Sequence, residues 1–314
     1  MKPDILVLGS AWSQEVRDQV QQVFQCHFAP SIPVAGDAAF EQIAGGIRAV
    51  LTTGTVGVTP ALVASLPALE IVSVHGVGVD AVPLALLAGK DIHVTNTPDV
   101  LTDDVADFAV TLLLSTVRRL PQLDRYVRDG AWPAKAPLTK ARSLRGKVAG
   151  IVGFGRIGQA VAQRLQGFGM EIRYYQRSPG PAPERRSSSL LALAEQSDML
   201  VLCMPGGADT RHMIDADVIE ALGPEGTLVN IARGSVVDEA ELVAALRDGR
   251  LGAAGLDVFE DEPNVPEALF GLDNVVLTPH VGSFTVEARS AMGRLAVANL
   301  VAHFNGEPLP TPVV

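Results

Sequence analysis

The chain has 314 residues, 47% hydrophobic and 19% charged, with a formal net charge of -10. That length suits two ordinary domains, and the composition excludes a disordered chain. The acidic balance excludes a phosphate-backbone binder, which needs a basic face, so no nucleic-acid partner is expected.

The opening "MKPDILVLGS" lacks the apolar length of a signal peptide and reads as a first β-strand. "DILVLG", "AVLTTG", "EIVSVHG" and "IHVTNT" predict buried strands. Stretches with helical spacing, such as "QEVRDQVQQVF" and "TPALVASL", follow them, which is the alternation of parallel βαβ units. "TPDVLTDDVADFAVTLLLSTVRRL" predicts one long helix, capped by Thr102 or Asp103, with an apolar stripe at Leu112, Leu113 and Thr116. Its apolar run is too short to span a membrane and ends at Arg118 and Arg119, so no membrane association and a cytoplasmic location are expected. Cys26 and Cys203 are far apart and read as buried thiols in a reducing compartment; no metal-ligand spacing is present, so no metal is expected.

After a Pro- and Lys-containing loop, a second βα series starts at Lys147. Its strands are "KVAGIVG", "EIRYYQ", "DMLVLCM", "GTLVNIA", "LGAAGLDVF" and "NVVLTPH". "TVEARSAMGRLAVANLVAHFNG" then predicts one amphipathic helix ended by Gly306. The fold class is α/β: two Rossmann-like or flavodoxin-like doubly wound parallel-sheet domains with a cleft between them. Residues 1–98 plus 286–314 are expected to form a substrate domain, and residues 99–285 a dinucleotide-binding domain.

"GFGRIG" supplies Gly153, Gly155 and Gly158 in G-x-G-x-x-G spacing between an apolar strand and a helix. The first glycine suits a tight turn, the second a close approach to pyrophosphate, the third helix–strand packing. The helix entered at Arg156 and Ile157 directs its free N–H groups at phosphate. Roughly 20 residues further on, an NAD site places an acid on the ribose. Here those positions read Gln176, Arg177 and Ser178. Gln176 removes the repulsion toward a 2′-phosphate, Arg177 adds a guanidinium fork, and Ser178 adds a hydroxyl. The cofactor is therefore read as NADP(H); a solvated Arg177 and use of NAD(H) as well is the alternative.

Three further stretches lie at strand ends, where open α/β sheets bind ligands. "NIARGS" carries Arg233, "GLDVFEDEP" carries Asp257, Glu260, Asp261 and Glu262, and "LTPHVGS" carries His280. Singly, each has a bland reading: a structural ion-pair partner, a solvated charge, a core histidine. Beside a cofactor turn they read together as a site. Histidine titrates nearest neutrality and is the natural proton donor to a carbonyl; an arginine suits a carboxylate and the charge developing on the carbonyl oxygen.

With "HGVGVD" and "LCMP", these motifs follow the order and approximate spacing of the D-2-hydroxyacid dehydrogenases, which the chain resembles over nearly its whole length. "VLTDDVADFAVTLLLSTVRRLP" and "NGEPLP" are most similar to the glyoxylate/hydroxypyruvate reductases. The resemblance implies reduction of a small 2-keto acid, with Arg233, Glu262 and His280 catalytic; Glu260 is the fallback for Glu262. It implies substrate contacts from Val77 and Gly78 backbone N–H groups, with Leu51, Trp132, Ser283 and Arg289 nearby and Phe284 also bearing on pocket size. For the cofactor it implies Cys203, Met204, Pro205, Ile231, Ala232, Asp257 and Gly282. A homodimer in which Trp132 reaches the partner's site is a further implication. A broader keto-acid reductase of phenylpyruvate type stays open. So does a cofactor-sensing corepressor-like scaffold, although the chain lacks long tails. A formate dehydrogenase is rejected because that group has Gln where Glu262 stands.

Overall fold

The computed structural model describes residues 2–9, 12–34 and 36–314. The chain divides into two compact units, Met1–Leu101 with Phe284–Val314, and Thr102–Ser283.

The first unit begins with β1 (Asp4–Leu8), α1 (Gln14–Val23), β2 (Gln25–Ala29), α2 (Ala38–Ala44), β3 (Ile47–Thr53), α3 (Pro60–Ser65), β4 (Ile71–His75), α4 (Leu84–Ala88) and β5 (His93–Thr95). The strands are parallel, in the order β2-β1-β3-β4-β5. Central strands covered on both faces need continuous apolar runs, and β1, β3 and β4 have them. The edge strand β2, "QCHFA", is only half-buried and carries no apolar run, so its sequence does not announce it. It forms because each residue pairs with β1 from Asp4↔Gln25 to Leu8↔Ala29. The helices start where the chain supplies side-chain caps: Ser13, Asp37 and Thr59 accept from the first-turn N–H groups of α1, α2 and α3.

The second unit contains α5 (Thr102–Val117), α6 (Leu120–Arg128), β6 (Val148–Val152), α7 (Arg156–Gly167), β7 (Glu171–Tyr175), α8 (Leu190–Glu195), β8 (Met199–Leu202), α9 (Ala216–Leu222), β9 (Thr227–Asn230), α10 (Glu239–Asp248), β10 (Ala253–Leu256) and β11 (Val275–Leu277). Its parallel sheet runs β11-β10-β9-β8-β6-β7. From β6 the chain winds first to β7 on one side, then to β8 on the other, so the winding reverses beside β6. One core packs α5 and α7 on the sheet, the other α8, α9 and α10.

The expected long helix is α5, which ends at Val117, and a second helix that the sequence reading did not predict, α6, starts at Leu120. Arg119 adopts φ 56° and Pro121 stands in the first turn of α6, where proline is tolerated but cannot continue a preceding helix. Thr102 is the first helical residue rather than a cap, and Asp103 and Asp104 occupy the first turn, where negative charge suits the helix dipole.

The chain ends in α11 (Val286–Asn305), capped by Thr285 and closed by Gly306 in the left-handed region. It belongs to the first unit. Ala296, Val297 and Leu300 pack with Val16 and Val20 of α1 on one face of that sheet, while α2, α3 and α4 cover the other. Among the described residues no helix is long and apolar enough to cross a membrane.

Candidate active site

In the second unit the loops at the carboxyl ends of the strands carry the candidate residues. The turn after β6 is built for close approach. Gly153 has φ 89°, and a Cβ there would stand 2.6 Å from Met204 N on the loop after β8. At Gly158 a Cβ would stand 2.1 Å from the Gly153 carbonyl oxygen. At Gly155, the N-cap of α7, a Cβ would meet nothing within 4 Å, and no side chain caps the helix. Open ground before uncapped N–H groups, at the reversal of strand order, fits a dinucleotide pyrophosphate. Arg156 is exposed at the first position of α7, and Ile157 packs partly into the core.

The end of β7 behaves differently from the simple sequence reading. Gln176 does more than avoid a charge: its Oε1 accepts from Phe154 N–H at 3.2 Å and its Nε2 donates to the Pro179 carbonyl at 3.1 Å. It therefore ties the glycine turn to the loop after β7. Arg177 is ion-paired with Asp209 at 2.9 Å. Ser178 is exposed beside it. Arg186, whose reach the sequence leaves unspecified, donates from Nη2 to the carbonyls of Gln176 at 2.9 Å and Arg177 at 3.1 Å. Pro205 is exposed, Met204 is buried, and burial pushes the Cys203 thiol up to about 12, which leaves it an uncharged wall rather than a nucleophile.

The catalytic candidates come together at the ends of β9, β10 and β11. His280 Nδ1 meets Glu262 Oε2 at 2.7 Å, and Glu262 Oε1 accepts from the Phe259 N–H at 3.1 Å. Burial pushes the Glu262 carboxyl up, but the His280 hydrogen bond and charge, with Phe259 and Arg233 beside them, outweigh it and hold the group below the usual carboxylate range. Glu260, the fallback, is engaged elsewhere: its Oε1 takes Arg211 at 2.5 Å and His212 at 3.0 Å. Arg233 lies on the turn after β9, packed so closely on the Phe259–Glu260 backbone that a Cβ at Gly234 would stand 1.8 Å from the Phe259 carbonyl carbon. Its guanidinium donates from Nη1 to the Ala232 carbonyl at 2.6 Å.

Two residues brace this arrangement. Asn230 donates to the Arg233 carbonyl at 2.9 Å and accepts from the Ala232 N–H at 3.0 Å. The Ala232 N–H is thus committed within the turn; Ile231 beside it is half-buried. Asp257, 2% exposed, accepts from Thr278 Oγ1 at 2.8 Å, Val281 N–H at 2.9 Å and Gly282 N–H at 2.9 Å, and its own carbonyl accepts from the His280 N–H at 2.7 Å. The carboxylate therefore holds the loop in which His280 adopts φ 55°. Three of its roughly four acceptor positions are used. Burial pushes its carboxyl above the usual range despite those hydrogen bonds. Ser283 ends the loop and is half-buried; Trp132, after α6, is 69% exposed.

The first unit carries the "HGVGVD" loop after β4. Thr97 N–H donates to the Gly76 carbonyl at 2.9 Å, the Gly76 N–H donates to Thr97 Oγ1 at 2.9 Å, and Asn96 Nδ2 donates to the Val77 carbonyl at 2.9 Å. A trans peptide directs its N–H opposite to its C=O, so these bonds aim the Val77 and Gly78 N–H groups away from β5. Sequence reasoning missed Asn96, Thr97 and Thr278, whose contacts join segments 19 to 21 residues apart and have no local pattern, and Asn230, whose contacts lie within its own turn. Arg289 on α11 is half-buried, with burial lowering its pKa, and its Cζ lies 5.6 Å from the Phe284 ring centroid. Leu51 departs from expectation as a pocket residue. It is fully buried on β3 among Ile5, Val7, Trp12 and Leu300, because alternation along the strand turns it to the core beneath α1 and α11.

A glycine turn at a winding reversal, with an imidazole–carboxylate pair and an arginine on the neighbouring strand ends, defines a nicotinamide-dinucleotide oxidoreductase. Residues 110–282 match the family model described as D-isomer specific 2-hydroxyacid dehydrogenase, NAD binding domain. The chain belongs to the D-isomer specific 2-hydroxyacid dehydrogenases. It is 53% identical over 272 residues to hydroxyphenylpyruvate reductase of Plectranthus scutellarioides, covering 86% of this chain and 87% of that one. It is 51% identical over 269 residues to glyoxylate/hydroxypyruvate reductase A of Arabidopsis thaliana, covering 85% and 86%. Among solved structures, the NADPH-dependent glyoxylate/hydroxypyruvate reductase of Sinorhizobium meliloti, in complex with NADP and malonate, superposes with a TM-score of 0.93 at 42% identity, covering 100% of this chain and 97% of that one.

Proposed function

We propose that this chain reduces glyoxylate, hydroxypyruvate and related small 2-keto acids to their 2-hydroxy acids, with NADPH preferred over NADH. The observation that carries the reading is the His280–Glu262 pair at 2.7 Å beside Arg233. The names of its relatives support it. In this reading Gly153, Gly155, Gly158, Arg156 and Ile157 cradle the pyrophosphate, Gln176, Arg177 and Ser178 meet the adenosine ribose, and Cys203, Met204, Pro205, Ile231, Ala232, Asp257 and Gly282 line the rest. The bound reduced nicotinamide supplies hydride to the carbonyl carbon.

The protein's own residues do the remainder. Arg233 holds the substrate carboxylate and stabilises the charge growing on the carbonyl oxygen. Glu262 fixes His280 through Nδ1, which leaves Nε2 to deliver the proton to that oxygen. The Val77 and Gly78 N–H groups, with Ser283, Arg289 and Phe284, serve the same keto acid in this reading. Residues 1–98 with 286–314 serve the substrate and residues 99–285 the cofactor. The exposed apolar residues Leu120 and Val127 of α6, and Trp132 after it, suit a homodimer in which Trp132 approaches the partner's substrate. A cytoplasmic location fits a reductase drawing on NADPH.

Steady-state kinetics with NADPH and NADH against glyoxylate, hydroxypyruvate, pyruvate and phenylpyruvate test the proposal. The highest kcat/KM is expected with NADPH and a small keto acid, and turnover should be lost in His280→Ala and Arg233→Ala. A second reading, an aromatic keto-acid reductase, is favoured by the 53% identity to the hydroxyphenylpyruvate enzyme. It replaces the first if phenylpyruvate is the best substrate. Cofactor binding without turnover of any keto acid overturns both in favour of a scaffold.

A further inference from the structure

The Arg177–Asp209 ion pair joins the end of β7 to the loop after β8, across 32 residues of sequence. Both side chains are open to solvent, 59% and 77% exposed, so the pair is not a buried structural tie. The loop that carries Asp209 is nonetheless ordered: Thr210 Oγ1 donates to the Pro205 carbonyl at 3.0 Å, and residues Ala208–Thr210 form a 3-10 turn. The acid is therefore presented to Arg177 by backbone architecture.

At the same strand end, Arg186 lies against the Gln176 and Arg177 carbonyls. Two guanidinium groups thus stand where an adenosine ribose is to bind, and one of them already holds a carboxylate. A guanidinium donates to a carboxylate or a phosphate alike, so Asp209 Oδ2, which takes the Arg177 Nη1 donor, competes with a phosphate for it.

We propose that Asp209 is a specificity-determining residue of the cofactor site: its carboxylate occupies Arg177 in place of a ribose 2′-phosphate and so sets how strongly the phosphorylated dinucleotide is preferred. This rests on the NADP(H) reading above. A 2′-phosphate must displace Asp209 from Arg177 or share the guanidinium with it. A dinucleotide bearing a free 2′-hydroxyl incurs neither cost. Arg186 supplies the second cation, so discrimination persists when Arg177 is engaged. An exposed ion pair is worth up to about 1 kcal/mol, so releasing Arg177 should tighten 2′-phosphate binding about fivefold.

Calorimetric titration of the full chain with adenosine 2′,5′-bisphosphate and with 5′-AMP tests this without turnover. Asp209→Asn should bind the bisphosphate about fivefold more tightly and leave 5′-AMP unchanged. Arg177→Gln should weaken the bisphosphate alone, and in the double variant the gain from Asp209→Asn should vanish. High salt should shrink the gain, since exposed charges are screened. An Asp209→Asn chain that binds the bisphosphate like wild type, tightens both ligands equally, or keeps its gain without Arg177 overturns the proposal. If wild type itself binds both ligands equally, the NADP(H) reading falls as well; if it discriminates and Asp209→Asn changes nothing, only the role of Asp209 falls.

Discussion

Replacing Glu262 with glutamine removes one acceptor from a site that uses two. The carboxylate takes the Phe259 N–H on Oε1 at 3.1 Å and His280 Nδ1 on Oε2 at 2.7 Å. Glutamine has one acceptor oxygen and an amide nitrogen that only donates. If the oxygen stays on Phe259, the NH2 group faces His280 Nδ1 and the ring loses its anchor. If it turns to His280, the buried Phe259 N–H is stranded. Either way the site forfeits a hydrogen bond to a charged group, worth about 1.5–3 kcal/mol. At 1.36 kcal/mol per factor of ten, Glu262→Gln should lower kcat by roughly 10- to 150-fold. KM for the keto acid should change little, because Arg233 and the Val77–Gly78 loop remain. The pH profile supplies a second readout. In the wild type the Glu262 carboxyl is held below the usual carboxylate range, so its charge is present above about pH 4.5 and is lost as pH falls through the lowered value. That acid-side loss should be missing from the variant. A Glu262→Gln enzyme with wild-type kcat and an unchanged acid limb would refute the assigned role.

Three other perturbations follow from the same structure. His75 is 3% exposed, and burial pushes its imidazole down from 6.5 to about 4. The unfolded chain therefore binds the extra proton between those values, and stability should fall by about 3 kcal/mol as pH drops through that window, at 1.36 kcal/mol per unit. Urea unfolding at several pH values should show this slope, and a His75→Phe variant that keeps the full slope would disprove the assignment. Gly234→Ala places a methyl 1.8 Å from the Phe259 carbonyl carbon and should destabilise the second unit by about 1–3 kcal/mol or more. Thermal unfolding and kcat should fall together, and an unaltered melting curve would contradict the packing. Asn96→Leu removes the donor on the Val77 carbonyl; a hydrogen bond of about 1 kcal/mol predicts a roughly fivefold rise in KM for the keto acid. Cofactor affinity measured by fluorescence should not change, and an equal loss of both would make the defect one of folding.

Much of this protein was legible in sequence, because the signals involved are local. The apolar runs of β1, β3, β4, β6, β8 and β9 are dictated by burial on both faces. The glycines of "GFGRIG" are demanded by a turn whose backbone leaves no space for side chains at two positions. The order of motifs sufficed for the family, and it singled out Arg233, Glu262 and His280, which the strand ends bring near one another. The edge strand β2 escaped because a half-buried edge needs no apolar pattern.

What only the tertiary structure decided was which of these groups meet. Glu260 and Glu262 stand two residues apart in one acidic stretch, yet one turns to Arg211 and His212 and the other to His280. Arg177 found Asp209, Gln176 found the glycine turn, and Asn96 found Val77 across gaps of 32, 22 and 19 residues. Leu51 went to the core instead of a pocket because alternation along β3 turned it inward. Residue type states what a side chain is able to bond. Strand register and the order of strands in the sheet determine what lies within its reach, and that order is a property of the whole chain.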